Sequence, residues 1–257
     1  MPLPRLLRLL AVVPAILSLA VSATLEAKEK KRVAPPAVEF SCFVWQDIPI
    51  PELFYRQGQQ YLPVKLSPGQ RSQTCPIQGA DALELFQRSA KAAGKGGSVS
   101  AADYDLVGRA PLLNGTKRML FLIEATKDSG KNSNSHPFRL HGMDDSLEAF
   151  PAGSFRFVNL TPDLLRIELA GAILELPGGA QKVVTPEIPE SGGFLPVVIK
   201  NETGRHLLEN RLLAQRTGRE LVLIAPPAGG RTDLTVKFLS DSIPASSKSG
   251  EKAPSRK

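Results

Sequence analysis

The sequence predicts an all-β protein made of two tandem, antiparallel β-sandwich domains of the immunoglobulin-like kind. Three observations indicate this fold. Apolar residues recur at every second position, turn dipeptides separate the alternating segments, and part of the first half recurs in the second. Alternation with a period of two places one side of each strand against a core and the other side in solvent, which is typical of antiparallel sheets.

The alternation occurs in short segments along both halves of the chain. The clearest segments are 38–44, 61–66, 118–123, 155–157, 165–169 and 234–238. Residues 81–93 could form a helix, but Leu83 and Leu85 keep the same alternation, so a strand is predicted there. Many short strands separated by turns are typical of sandwiches and barrels.

Turn dipeptides lie between these segments. Asn114-Gly115 suits a type I′ hairpin, because both central residues of that turn need a positive φ. Pro68-Gly69 and Pro177-Gly178 combine a fixed φ with a residue that tolerates positive φ, as type II turns require.

Part of the first half recurs in the second half. Residues 116–123 (TKRMLFLI) match residues 217–224 (TGRELVLI), with five of the eight identical. Upstream, 66–70 (LSPGQ) resembles 175–180 (ELPGGA). If the recurrence reflects a duplicated unit, each copy is a sandwich of about 90–105 residues.

The N-terminus predicts export. Arg5 and Arg8 precede the apolar stretch 9–21, and small residues follow at Ser22 and Ala23, the pattern of a cleaved signal peptide. A transmembrane helix needs about 20 apolar residues, so a retained membrane anchor is the less favoured alternative. The mature protein is therefore predicted to be periplasmic or extracellular and not an integral membrane protein.

Composition divides the chain into six parts. The polar stretch 126–136 separates the two alternating regions, and Pro- and Lys-containing segments flank them at both ends of the chain. The predicted parts are a signal peptide (1–23), a basic spacer (24–37), a first sandwich domain (38–125), a linker (126–136), a second sandwich domain (137–240) and a disordered basic tail (241–257).

The positive charge of the chain lies at its ends. The net charge is +7, but residues 33–245 contain 22 Lys or Arg and 22 Asp or Glu. A nucleic-acid-binding domain needs its surplus of positive charge on the folded surface. A nucleic-acid partner is therefore not predicted.

The residue types that support catalysis or metal binding are sparse. Cys42 and Cys75 could close a disulfide in an oxidising compartment or remain buried and unpaired, and both alternatives stay open. His136 and His141 lie near Asp144 and Asp145, but a spacing of five places the two histidines on different faces of a strand or helix. Neither a metal site, a cofactor nor a set of catalytic residues is predicted.

One segment carries a resemblance to known proteins. Residues 153–169 (GSFRFVNLTPDLLRIEL), followed by a Pro-Gly turn, resemble a motif in exported bacterial β-sandwich proteins of unknown function. The resemblance covers chiefly residues 150–225. It implies a sandwich fold and a location in the cell envelope, and it implies no activity.

The predicted function is that of a non-catalytic exported protein that binds or organises an envelope protein or polymer. One alternative is a periplasmic assembly chaperone, which receives a client strand on a free sheet edge. A second alternative is a carbohydrate-binding or carbohydrate-active protein. That alternative predicts exposed, coplanar aromatic rings around Trp45, although packing in the core is the favoured role of this tryptophan.

Overall fold

The fold consists of β-strands. The computed structural model describes residues 37–90, 100–126, 136–227 and 233–243. These residues form sixteen strands and one three-residue 3-10 helix, Ala101–Asp103, and no α-helix is found among them. The all-β class predicted from the alternation is confirmed.

Each half of the chain contributes eight strands. The first eight are β1 Val38–Val44, β2 Leu53–Gln57, β3 Gln60–Val64, β4 Cys75–Ile77, β5 Ala82–Arg88, β6 Tyr104–Pro111, β7 Arg118–Ala125 and β8 Phe138–Asp144. The second eight are β9 Phe155–Asn159, β10 Leu165–Leu169, β11 Ala172–Leu176, β12 Gln181–Val184, β13 Gly193–Asn201, β14 His206–Ala214, β15 Gly218–Ala225 and β16 Thr235–Ser242.

The strands pair into four sheets of four. Sheet A has the order β4-β1-β7-β8 and sheet B the order β3-β2-β5-β6. Sheet C has the order β12-β9-β15-β16 and sheet D the order β11-β10-β13-β14. Each strand of the first half is thus equivalent in position to the strand of the second half whose number is eight higher. The two halves share one topology, and the recurring segments 116–123 and 217–224 fall on the equivalent strands β7 and β15.

The pairing registers of the two halves also agree. The β5–β6 pair shifts register after Leu85, and the β13–β14 pair shifts register after Ile199. Leu85 pairs with Gly108, and Ile199 pairs with Leu208. Positions can therefore be matched between the halves, and each half serves as an internal comparison for the other.

Sheets A and C each contain a parallel pair, β1 with β7 and β9 with β15. The prediction of wholly antiparallel sheets is therefore wrong at these two pairs. The positions that the alternation assigned to solvent include Phe43, Leu120 and Leu122, and all three are buried. Parallel pairing is typical of strands that are covered on both faces, as these are.

Three hydrophobic cores hold the sheets together. The first core lies between sheets A and B, and the second lies between sheets C and D. The third core joins the remaining faces of sheets A and C. Its buried members are Phe43, Trp45, Leu120, Leu122, Met143, Phe150, Val158, Leu221, Leu223, Ala225 and Leu239. The sheets are stacked in the order B, A, C, D, within one compact unit, Pro35–Lys257.

The first eight strands end at Asp144, and the second eight begin at Phe155. Strand β8 lies in the predicted second domain, yet it pairs with β7 of the first half. Most of the predicted linker, 127–135, lies outside the described residues. Strand β16 runs to Ser242, so Asp241 and Ser242 belong to a sheet rather than to the predicted tail. The division into two domains stays a prediction.

The predicted signal peptide, most of the spacer (24–36) and the tail from residue 244 lie outside the described residues. In the part of the chain that the structure does describe, no helix has the length and apolar character needed to cross a membrane.

Candidate functional site

Four aromatic side chains cluster on the face of sheet B that is turned away from the first core. They are Phe54 on β2, Tyr61 on β3, Phe86 on β5 and Tyr104 on β6. Tyr55 and Leu85 point into the first core, so the side-chain alternation directs their neighbours Phe54 and Phe86 outward. The rings of Tyr104 and Tyr61 contact these phenylalanines. We call the four residues, together with Arg56 and Arg88, the aromatic face.

The four rings pack closely on one another. Phe54 and Phe86 pair across the central strands β2 and β5. The ring of Tyr104 meets Phe54 edge-on at 5.1 Å, and Tyr61 meets Phe86 in the same way at 5.0 Å. The two tyrosine rings stack with their centroids 4.0 Å apart. The phenylalanines are buried and the tyrosines are half-buried, so the tyrosines cover the phenylalanines and keep part of each ring at the surface.

Two arginines border the cluster. The guanidinium carbon of Arg56 lies 5.9 Å from the ring centroid of Phe86, and that of Arg88 lies 5.8 Å from the ring centroid of Phe54. Both distances are within the range of a cation–π contact. Both arginines are exposed, so a ligand beside the rings can reach their guanidinium groups, although that of Arg56 is also paired with Glu84.

A shallow depression of about 280 Å³ adjoins the aromatic face. It is lined by Arg56, Glu84, Arg109 and the turn at 78–82. Glu84 accepts a hydrogen bond from Arg56 at 2.9 Å and forms an ion pair with Arg109 at 3.5 Å. Three arginines, Arg56, Arg88 and Arg109, therefore lie beside the rings and the depression, against two acidic residues, Glu84 and Asp81.

The second half has no such cluster at the matching positions. In sheet D, Arg166 and Lys200 take the places of the two phenylalanines, and Ile173 takes the place of Tyr61. The Lys200 Nζ donates to Glu168 Oε1 at 2.8 Å. The shared topology does not require aromatic residues on this face, so the cluster distinguishes the first half and is the candidate functional site.

A second group of charged residues lies at the junction of the two halves. Asp145 Oδ2 is 2.5 Å from Arg71 Nη1 and 3.2 Å from both Arg118 Nε and Arg219 Nη2. Arg219 also donates to Asp241 Oδ2 at 2.8 Å. The side chains of Asp145 and Arg219 are fully buried. We call these five residues the junction cluster.

The junction cluster follows the internal repeat. Arg118 is the first residue of β7, Arg219 is the second residue of the equivalent strand β15, and Arg219 pairs in register with Asp241. Burial alone would raise the pKa of Asp241, but the hydrogen bond from Arg219 and the charges of Arg71 and Arg118 lower it overall. The ionised carboxylates are neutralised within the protein, which indicates a structural role.

Arginines also fix the connection between the halves. Arg156 donates to the carbonyl oxygens of Asp144 at 2.6 Å and Ala149 at 3.1 Å. Arg219 donates to the carbonyl oxygen of Phe150 at 3.0 Å. Both guanidinium groups lie over the Phe150 ring, with their carbons 4.6 and 4.8 Å from its centroid. Two arginines of the second half therefore hold the end of β8 and the connection that follows it.

The two cysteines lie in the first core. Cys42 on β1 and Cys75 on the adjacent strand β4 are both buried and unpaired in the structure. Cys75 pairs in register with Phe40, so the two thiols are diagonal neighbours rather than directly opposite. Burial raises the pKa of both thiols. The disulfide considered from the sequence stays a prediction.

The other residues considered from the sequence are not brought together. Trp45 is only 8% exposed and packs in the third core, so the aromatic rings of the candidate site are elsewhere. His141 Nε2 lies 3.0 Å from Glu124 Oε2, whereas Asp145 belongs to the junction cluster. Within the described ranges, no group of three or more His, Cys, Asp or Glu side chains is placed to hold a metal ion.

The motif at 153–169 has a structural explanation. The side-chain amide of buried Asn159 donates to three carbonyl oxygens, those of Asp163, Leu176 and Pro177. A Cβ on Gly178 would overlap the carbonyl oxygen of Pro162, so only glycine fits there. The motif ties the β9–β10 connection to the turn after β11.

The sequence contained a signal for the aromatic face that the search for catalytic patterns missed. Tyr61 occupies a position that the alternation in 61–66 assigns to solvent, where a polar residue is expected. Comparison with protein-family models and with curated proteins gives no match for this chain.

Proposed function

We propose that this protein is a non-catalytic, exported binding protein of the cell envelope, and that the aromatic face holds an acidic glycan. The observation that carries the proposal is the contrast between the two halves. Four packed aromatic rings bordered by arginines occupy one sheet, and ion pairs occupy the matching positions of its repeat.

The chemistry of the face favours this class of ligand. Tyrosine combines an apolar ring with a polar hydroxyl, which suits the apolar and hydroxyl-bearing surfaces of a sugar. Arg56, Arg88 and Arg109 present planar donor groups that match the geometry of a carboxylate. Tyrosine and arginine are also the residue types that most often dominate binding surfaces.

We further propose that the two halves are tandem immunoglobulin-like sandwich domains with different roles. The shared topology supports a duplicated sandwich, and the junction cluster supports a fixed arrangement of the copies. In this proposal the first domain binds the ligand. The second domain, whose outer face carries ion pairs, is the scaffold.

The ligand proposal is tested with the purified protein by titration calorimetry. Polygalacturonate serves as the acidic probe and dextran as the neutral one. We expect the wild type to bind polygalacturonate. The Tyr61→Ala/Tyr104→Ala variant should have a dissociation constant at least about tenfold higher, because it lacks the surface rings. Ile173→Ala, at the position in sheet D that matches Tyr61, is the control and should bind like the wild type.

Two outcomes contradict the proposal. Absence of binding to polygalacturonate, or equal binding of dextran, argues against an acidic glycan. Equal weakening by Ile173→Ala and by the tyrosine variant argues against the aromatic face as the site.

A further inference from the structure

The outer edge of strand β14 has the features of an interaction surface. Strand β14 ends sheet D, and no described strand pairs with its outer side. It spans nine residues and contains neither proline nor lysine, the residues that commonly protect sheet edges. Of the seven other edge strands, β8 and the five-residue β11 also contain neither, and the remaining five contain one or the other, namely β3, β4, β6, β12 and β16.

The internal repeat explains why this edge is open. In the first half, β6 lies alongside β8, and a Cβ on Gly108 would come within 3.3 Å of Leu140 Cγ. The matching residue of β14 is Leu208, whose side chain does not permit so close an approach. Over the described ranges β14 approaches β16 less closely than β6 approaches β8. Phe238 on β16, on the same side of its sheet as core residue Val222, is left 38% exposed.

The sequence of β14 is complementary to itself in one antiparallel register. Residues 207–213 read LLENRLL, with Asn210 at the centre. If two copies pair about Asn210, Glu209 of each lies opposite Arg211 of the other. Leu208 likewise lies opposite Leu212. Opposite charges and apolar pairs are the cross-strand neighbours that stabilise sheets.

Neighbouring registers lack this complementarity. Pairing centred on Arg211 would place two guanidinium groups opposite each other, and pairing centred on Glu209 would do the same with two carboxylates. Like charges directly opposite each other are destabilising. Glu209, Asn210 and Arg211 are all exposed in the structure, and the backbone N–H of Arg211 donates to the neighbouring Asn210 Oδ1 at 2.8 Å. The charged side chains of Glu209 and Arg211 are therefore accessible for such contacts.

We propose that two copies of this chain associate through β14, antiparallel and centred on Asn210, to form one continuous eight-stranded sheet from the two sheets D. Exposed apolar side chains lie beside the proposed seam. Phe194 and Leu213 pair across β13 and β14 and are 66% and 49% exposed. The inference is independent of the glycan proposal, since the aromatic face lies on sheet B of the other half.

A charge exchange tests the dimer by sedimentation equilibrium. We expect the wild type to form a dimer. Arg211→Glu and Glu209→Arg should each raise its dissociation constant at least about tenfold, because each turns two symmetry-related attractive pairs into repulsive ones. The double variant Glu209→Arg/Arg211→Glu restores both attractive pairs and should return to within about threefold of the wild type.

The control is Lys182→Glu, which reverses an exposed charge on another edge strand, β12, and should leave the dimer unchanged. The proposal is overturned if the wild type is monomeric throughout the concentration range. It is equally overturned if the double variant fails to regain the dimer. Circular dichroism of each variant establishes that it is folded.

Discussion

Replacing Asp145 by asparagine is expected to lower the free energy of unfolding by about 3–5 kcal/mol. The Asp145 carboxylate is fully buried and lies within 3.2 Å of three guanidinium groups, one of which, that of Arg219, is itself fully buried. Asparagine keeps the shape of the side chain but removes its charge. Arg219 would then retain only the partly exposed Asp241 as a counter-ion.

The effect is measured as the change in urea-induced unfolding, followed by circular dichroism. Asp163→Asn makes the same chemical change at an exposed position and should alter the unfolding free energy by less than about 0.5 kcal/mol. A loss at Asp145 no larger than the loss at Asp163 would show that the junction cluster contributes little to stability.

Replacing Phe150 by alanine is expected to lower the free energy of unfolding by about 3–5 kcal/mol. The Phe150 side chain is 1% exposed and fills the third core, so its removal leaves a cavity where the two halves meet. The substitution also removes the ring that lies under the guanidinium groups of Arg156 and Arg219. Buried cation–π contacts add to the loss.

Leu147→Ala provides the control for Phe150→Ala. Leu147 belongs to the same connection between the halves but is 49% exposed, so its truncation should cost less than about 0.5 kcal/mol. Both variants are compared with the wild type by urea unfolding at one protein concentration. Similar small losses in the two variants would mean that the connection is not packed between the sheets.

The strands and the repeat could be predicted from the sequence because both are local patterns. Alternation in segments such as 118–123 depends on residues close together in the chain, and the match to 217–224 can be read directly. The class of the fold and the equivalence of β7 and β15 follow from these patterns.

The stacking of sheets A and C could not be predicted in the same way. The alternation in β1 and β7 predicts one buried side and one solvent-facing side, although the apolar residues Phe43, Leu120 and Leu122 occupy the side predicted to face solvent. Those apolar residues were a sign that both faces are covered. Which sheet covers them depends on contacts between segments about 100 residues apart, and a local pattern carries no information on such contacts.

The candidate site depends on sheet order in the same manner. Tyr61 and Tyr104 lie on the two opposite edge strands of sheet B, and Phe54 and Phe86 lie on the two central strands. The tyrosine rings extend over the phenylalanines and stack on each other there. Tyr61 and Phe86 are visible in the sequence as aromatic residues at outward positions of alternating segments. Their convergence requires the order β3-β2-β5-β6, which the alternation does not determine.

The central claim is that the two repeated halves form one cooperative unit through the third core and the junction cluster. Native-state hydrogen exchange in increasing urea measures this directly, since the slowest amides report global unfolding. The account predicts that the slowest amides of β7 and β15 share one free energy of opening and one dependence on urea. Two different free energies, with separate urea dependences for the two strands, would contradict it.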